Sequence, residues 1–353
     1  MSIIQTTMST VKPLILDVFK AGLVPNLLSS PGLGKSALAK QIAKQFNLKL
    51  IDIRLSYFDP ADLNGFPFIL NKDEVASKIR AGFVPLEIFP IKGDPLPVDE
   101  NGQQMAGWFI LMDEFNSAQR PVQAAAYKVV LDKQVGMHDL HKSVVMLCAG
   151  NRSTDKAIVN ELGTAMQSRL INFLLKVCEP SWQIWANGDG DIDYRVKSFI
   201  SFKPELLHKF DPNHDDLTFP CPRTWEFMSK IIKPMQSVEM EKLPLLSGTV
   251  GYGAGQEFFS YAQLFQNIPT IADIEQDPMG CRLGDEKSIH YAMSGMLGAK
   301  MTPDNATPLV QFLSRLDIDF QVVTLRAAIA RDREIRKNSE IKLWVSRNAS
   351  ELL

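Results

Sequence analysis

The chain is poor in cysteine: four in 353 residues, at Cys148, Cys178, Cys221 and Cys281, none of them in a Cys-x-x-Cys pair. That spacing argues against a disulfide framework or a cysteine-built zinc site and suits a reducing compartment. Neither sign of charge is in excess. Lys and Arg number 38 against 40 Asp and Glu, which leaves a net charge of −2 and a pI near 6.2. So balanced a chain carries no overall footprint for nucleic acid, although a local basic patch is compatible with it. No apolar run approaches the ~18 residues needed to cross a bilayer, and the amino terminus lacks the basic-then-apolar plan of a secretory signal. Internal repeats and low-complexity tracts are missing as well. These absences predict a soluble, cytoplasmic protein. Hydrophobic residues at 45% and charged residues at 22% are ordinary globular values, and the length allows two domains, or one with a sizeable extension.

Against this even background stands Ser29-Ser30-Pro31-Gly32-Leu33-Gly34-Lys35-Ser36. Its second half, Gly-x-Gly-Lys-Ser, is the working end of a phosphate-binding loop. Glycine permits positive φ and close backbone approach, so successive N–H groups can turn onto phosphate oxygens. Pro31, Gly32, Leu33, Gly34, Lys35, Ser36 and Ala37 are therefore the candidate nucleotide contacts. Lys35 would reach the β- and γ-phosphates, and the Ser36 hydroxyl would ligate Mg²⁺. Asn26-Leu27-Leu28 predicts a short buried strand before the loop. Leu38, Ile42 and Phe46 recur at helical spacing after it, in a helix whose positive end would face the phosphates. The full pattern opens with Gly, where this chain has Ser29. Alone, Gly-x-Gly-Lys-Ser also fits a plain glycine turn before a helix; the flanking strand and helix favour the phosphate loop.

Residues 1–23 offer one helical segment with Leu14, Val18 and Phe19 on an apolar face. A second strand is predicted from Leu48 to Leu55. The stretch from Asp59 to Pro67 is dense in turn formers and closes on Phe66 and Phe68. These two read as exposed aromatics, either anchors for a client or packed under their own loop. The next forty residues, rich in Pro and Gly, read as loop rather than core. Trp108 to Met112 is apolar throughout and ends in Asp113-Glu114. That fits a strand buried on both faces with acids at its carboxyl end, where open α/β sheets bind ligands. Asp113 would hold the Mg²⁺ shell and Glu114 would polarise an attacking water; a strand ending in a solvated acidic turn is the plain alternative.

Pro121 suits the first turn of a helix carrying Val122, Ala126, Val129 and Val130. Gln134 to Lys142 predicts a hairpin, with His138 and His141 as solvated residues rather than metal ligands, because no acid or cysteine is arranged beside them. Ser143 to Cys148 predicts a fourth strand. Asn151 at its end either reaches the γ-phosphate or is an ordinary turn residue. Arg169 precedes the apolar Leu170 to Leu174, read as the last strand of the core. A lone Arg is usually half of a surface ion pair and turns catalytic only if a neighbouring subunit's phosphate is within reach. From Pro180 the patterns are helical: Trp182, Trp185 and Ala186, then Ile192, Val196, Phe199 and Ile200. A helix opening at Pro222 would bury Trp225, Met228 and Ile232. Arg223 in its first turn is an unfavourably placed cation that a phosphate would relieve. Beyond residue 241, helical patterns alternate with loops at Gly248–Gly255 and Met301–Pro308. They close on one charged helix across Arg326–Lys342, read as a solvated face.

Taken in order, these pieces resemble a AAA+ ATPase, and most closely its MoxR-type branch. The likeness is carried by Asp59-Pro-Ala-Asp-Leu-Asn-Gly-Phe-Pro, Met112-Asp-Glu-Phe-Asn-Ser-Ala, Val122-Gln-Ala-Ala-Ala-Tyr, Ala149-Gly-Asn-Arg-Ser-Thr-Asp, Trp182-x-x-Trp-Ala and Pro222-Arg-Thr-Trp-Glu. Together they run over residues 25–230. The resemblance implies an α/β P-loop core with a parallel sheet over residues 1–178, an α-helical lid over 179–245 and a helical C-terminal extension over 246–353. It implies Lys35 and Ser36 as Walker A residues, Asp113 and Glu114 as Walker B, Asn151 as sensor 1, Arg169 as the arginine finger and Arg223 as sensor 2. Residues 59–68 match the family's insert within its second helix, and 134–142 its hairpin before sensor 1. The chain departs from the family at Ser29 and at Leu170, where Phe is usual; neither change removes a charged or metal-binding group.

The likeness further implies Mg²⁺-dependent ATP hydrolysis in a homo-oligomeric ring, a hexamer by expectation. Such a ring would work as a chaperone or remodeller of a protein client, with a von Willebrand factor A domain protein as partner. A DNA-handling AAA+ helicase or loader is the alternative from another class, and the near-zero net charge counts against it. A nucleotide-gated binding module that hydrolyses little is the third reading, against which the intact Glu114 and Arg169 speak.

Overall fold

The apolar run around Phe109 is the middle of a six-stranded sheet. The computed structural model describes residues 4–71, 80–155, 160, 162–213 and 216–348, and the chain divides into two units, Met1–Val177 and Cys178–Leu353. In chain order the strands of the first unit are β1 (Gln5–Thr6), β2 (Pro25–Ser29), β3 (Leu48–Arg54), β4 (Phe66–Leu70), β5 (Arg80–Val84), β6 (Gly107–Asp113), β7 (Gln134–Val135), β8 (His138–Asp139), β9 (Val144–Asn151) and β10 (Ile171–Leu175). Its helices are α1 (Met8–Lys20), α2 (Lys35–Gln45), α3 (Pro60–Asn64), α4 (Arg120–Leu131) and α5 (Thr164–Gln167). The main sheet runs β1-β10-β2-β9-β6-β3, and every pairing in it is parallel.

Successive strand residues point to opposite faces, so an unbroken apolar run serves two cores at once. In β6, Phe109 and Leu111 pack with Val11, Ile15, Leu27, Leu38 and Ile42, under α1 and α2. Ile110 and Met112 pack on the other side with Val122, Ala126, Val129 and Met146, against α4. Each such side chain contributes about 1.5–3 kcal/mol on burial. A parallel sheet between helices followed by an all-helical unit is the α/β architecture expected.

Several local expectations need correction. The buried face of α1 is Val11 and Ile15, with Phe19 edge-on to Phe109 at 5.6 Å, while Leu14 is exposed. The helix has apolar residues on two faces, so periodicity alone does not choose between them. Phe46 lies past the end of α2 and is exposed. Phe66 and Phe68 sit in a strand and not in a loop: β4 pairs antiparallel with β5, Phe66 opposite Val84 and Phe68 opposite Gly82. Both remain exposed. β4 is exposed along its whole length and so has no polar–apolar alternation to reveal it, while in β5 Gly82 is buried against the Phe68 ring. The Pro- and Gly-rich stretch also sends Phe89 into the core on the α4 side, and its residues 72–79 lie outside the described residues. The hairpin predicted over 134–142 is present as β7 and β8.

The second unit holds α6 (Glu179–Asn187), α7 (Tyr194–Phe202), α8 (Pro222–Ile232), α9 (Leu243–Val250), α10 (Tyr252–Ala262), α11 (Ile271–Gln276), α12 (Lys287–Lys300), α13 (Ala306–Leu313), α14 (Ile318–Arg331) and α15 (Ser339–Arg347). Phe199, Trp225, Phe258 and Tyr261 form an aromatic centre, with Phe199 between 5.3 and 5.4 Å from each of the other three rings. Two predicted outlines change here. The supposed loop Gly248–Gly255 is mostly helix, broken only at Gly251 (φ +90°). Gly255 lets α10 approach α9 so closely that a Cβ there would lie 2.8 Å from the Ser247 backbone. The single charged helix over 326–342 is instead two, split after Arg331, and α15 is opened by the Asn338 side chain accepting from the Glu340 N–H. No described helix is long and apolar enough to cross a membrane.

Candidate nucleotide-binding site

Three parallel strands deliver the site's polar residues to one place, the carboxyl end of the sheet. Ser29 at the end of β2 is in register with Asn151 at the end of β9, while Met112, just before Asp113, is in register with Cys148. The chain leaves β2 through Ser30–Gly34 and enters α2. Gly32 and Gly34 take φ of +79° and +93°, the left-handed region that glycine enters without strain. The first turn of α2 has no acidic residue and no side-chain cap. Its N–H groups and positive dipole are thus the kind of surface an anion satisfies.

Lys35 is buried. Its ammonium donates to Ser29 Oγ at 2.9 Å and to Asn151 Oδ1 at 3.3 Å. Ser29, the departure from the usual glycine, is fully buried and donates its own proton to the Ser30 carbonyl at 2.8 Å. Ser36 Oγ donates to Asp113 Oδ2 at 3.0 Å, and Asp113 Oδ1 accepts from the Glu114 N–H at 2.8 Å. Glu114 holds φ at +55°, rare for a residue with a side chain and found disproportionately where function requires it. Ser56 Oγ, just beyond β3, donates to the Glu114 carboxylate.

No protein-family model matches the chain, and neither does any curated protein. Among solved structures it is similar to a putative ATPase from Cytophaga hutchinsonii (13% identity, 93% of this chain and 78% of that one, TM-score 0.32). It is also similar to a single-substitution mutant of RuvB from Thermotoga maritima (14% identity, 77% of each chain, TM-score 0.37). A third is a DNA polymerase III gamma subunit-related protein from Thermotoga maritima (11% identity, 98% and 99%, TM-score 0.35). These scores are low. The case for the site rests on its own residues.

Lys35, Ser36, Asp113, Glu114 and Asn151 are brought together; Arg169 is not among them. It is exposed in the turn before β10. Because Ile171 pairs with Pro25, that turn lies at the amino end of β2, four residues or about 13 Å along the strand from Ser29. Arg223 belongs to the second unit, exposed in the first turn of α8. His138 Nε2 meets the Phe83 carbonyl at 2.8 Å, and His141 stands edge-on to Trp108 while its Nδ1 accepts from the Ser143 N–H at 3.1 Å.

Three contributors take no role from the sequence, although Asn116 stands in a segment that carries the family likeness. Ser56 is one. Asn116 is another: buried, it donates from Nδ2 to the Asn151 carbonyl at 2.7 Å and accepts from the Asn151 N–H at 3.1 Å, fixing that residue's backbone. Gly150 makes this grip possible, since a Cβ there would overlap the Asn116 amide. The third is Asp52 in β3, whose carboxyl is raised above its usual range by burial and then by the Asp113 charge, against the pull of Arg54 and Lys40. A polar residue after Glu114-Phe115 and a glycine before Asn151 are the only signals that could point to them. Cys148, inside β9, is pushed up to about 12 by burial and stays an unreactive thiol.

The residues suit a Mg²⁺–nucleotide. Ser36 and Asp113 place two hard oxygen donors side by side, as Mg²⁺ prefers, and Lys35 with the uncapped turn of α2 provides for phosphate oxygens.

Proposed function

We propose that this chain is a Mg²⁺-dependent ATPase of the AAA+ superfamily, of the MoxR-type branch, which assembles into a ring and remodels a protein client. The observation that carries the reading is the meeting of Lys35, Ser36, Asp113 and Asn151, drawn from two strands and one helix across 116 residues of chain. A plain glycine turn requires no such convergence.

In this reading ATP is the substrate. Backbone N–H groups of Gly32 to Lys35 and the Lys35 ammonium bind its phosphates, with Pro31, Leu33 and Ala37 shaping the loop. Ser36 and Asp113 hold Mg²⁺, which when bound offsets charge on the β- and γ-phosphates. Glu114 orients the attacking water and accepts its proton; Ser56 holds that carboxylate until substrate arrives. Asn151, with its backbone fixed by Asn116, bonds the γ-phosphate or the water. Positioning and charge stabilisation of this kind are the main catalytic resources in phosphoryl transfer. The distance of Arg169 from its own loop supports a role on a neighbouring subunit's phosphate, and with it a homo-oligomeric ring, a hexamer on the family's pattern. Arg223 would act as the second-unit sensor. The exposed Phe66 and Phe68 support contact with a client, and the family likeness supports a von Willebrand factor A domain partner.

The test is phosphate release with Mg²⁺ and ATP. Lys35→Ala should lose nucleotide binding, whereas Glu114→Gln should bind ATP and turn over at least ~10²-fold more slowly, as for a lost general base. Near-normal turnover by Glu114→Gln would remove that residue from the chemistry.

A further inference from the structure

A cavity of about 760 Å³ lies in the second unit, bordered by Asn187 at the end of α6, the start of α7 and the last turns of α8, α12 and α14. Among the described residues five cations line it, Arg195, Lys197, Lys233, Lys300 and Arg331, and against them stand two carboxylates, Asp191 and Asp193. Both acids are engaged. Asp193 takes a two-pronged contact from the buried Arg195, at 2.9 and 3.0 Å, and Asp191 pairs with Lys233.

The other three cations meet neutral groups. Lys197 Nζ donates to Asn187 Oδ1 at 2.8 Å, Arg331 donates to the Met301 carbonyl, and the Lys300 ammonium sits 6.0 Å from the centre of the Tyr194 ring. Part of this positive charge answers the carboxyl ends of α6, α8, α12 and α14, each worth about half a negative charge, against the opposite half-charge at the start of α7. Together these ends offset roughly 1.5 charges of three, so a surplus of about 1.5 remains. Burial brings the Lys197 ammonium down to about 8; Asp193 and Asp191 resist the shift, and Arg331 and Lys233 add to it. Gly298 lets α12 lie close against α14, where a Cβ would come within 3.1 Å of Ala327, and Ala299, Ala327 and Ala330 add small side chains to the lining.

We propose that this cavity binds a small phosphate-bearing anion, held by Lys197, Lys300 and Arg331. The guanidinium offers paired donors to phosphate oxygens, and the lysines act as point charges beside it. The volume falls within the ~300–1,000 Å³ of ordinary small-ligand pockets, which favours a compact anion over an acidic peptide. The site does not depend on the ATPase reading, since every residue in it belongs to the second unit.

The test titrates the full chain carrying Lys35→Ala with inorganic pyrophosphate by calorimetry, so that the loop of the first unit is silenced. One binding event should survive. Arg331→Gln and Lys197→Met should each weaken it roughly tenfold or more, the worth of one charge-assisted contact. Binding near pH 8 should take up a proton at Lys197, faced by Asp191, Asp193, Lys233 and Arg331; because pyrophosphate also exchanges protons there, the readout is the change in buffer-dependent enthalpy between the parent protein and Lys197→Met. Absence of pyrophosphate binding in the Lys35→Ala protein would overturn the proposal. So would undiminished binding after Arg331→Gln, an exposed position whose loss leaves the fold testable even if Lys197→Met fails to fold. If the ATPase reading were wrong, Lys35→Ala would change nothing, and dependence on Arg331 would still decide this site.

Discussion

Ser29→Ala should tighten ATP binding. In this structure the Lys35 ammonium donates to Ser29 Oγ at 2.9 Å in a buried setting, with Asn151 Oδ1 farther off at 3.3 Å. On the proposed reading Lys35 must leave Ser29 to meet the β- and γ-phosphates, so that contact stabilises the nucleotide-free state alone. A hydrogen bond to a charged group is worth about 1.5–3 kcal/mol. Asn151 retains part of the interaction once the hydroxyl is gone, which leaves a net effect of about 1 kcal/mol, or roughly fivefold in Kd. Alanine keeps the Cβ of this fully buried strand residue, so the change removes the hydroxyl with its two bonds, and the one to the Ser30 carbonyl is lost from the free and the bound protein alike. The measurement is equilibrium ATP binding in a Glu114→Gln background, where turnover does not blur the titration, with Tm recorded for both proteins. An unchanged or weaker affinity at matched stability would refute the reasoning. It would mean that Lys35 keeps Ser29 as a partner while the nucleotide is bound.

Exposure and register lead to two more expected outcomes. Arg169→Ala should bind ATP but lose at least ~10³-fold in turnover, the lower figure for a missing arginine finger; mixing it with Lys35→Ala subunits should restore measurable activity, and no recovery in mixed rings confirmed by mass would confine Arg169 to its own subunit. Phe66→Ala, in a strand exposed along its whole length, should change Tm by no more than about 2 °C while weakening client engagement. A drop of several degrees with engagement intact would show that the ring holds the hairpin together instead.

Legibility in the sequence tracks chain distance. The loop around Lys35 and the strand ending at Asp113 are readable because each is written within eight consecutive residues, and their apolar flanks fix the strand and helix on either side. The site's supports are not readable. Ser56 meets Glu114 across 58 residues and Asn116 meets Asn151 across 35, contacts that only the register of β3, β6 and β9 creates. The β4–β5 hairpin is hidden because a strand exposed on both faces has no periodic signature. The cavity beside Lys197 is hidden for another reason: its cations come from several separate segments, and each, taken singly, looks like an ordinary charge on a solvated surface.

The strand order also sets a timetable for the molecule's making. β2, which carries the loop, pairs with β9 and β10 alone, and those strands begin at residues 144 and 171. A nascent chain therefore presents Pro25–Ser29 with both hydrogen-bonding edges open while roughly 120 further residues are added, and with one edge open for about 20 more, on the order of ten seconds at ordinary elongation rates. β1 waits longer still, since its neighbour among the described residues is β10. During that interval the amino-terminal segment has no sheet to join, so the ribosome must deliver almost the whole first unit before any of its nucleotide site exists.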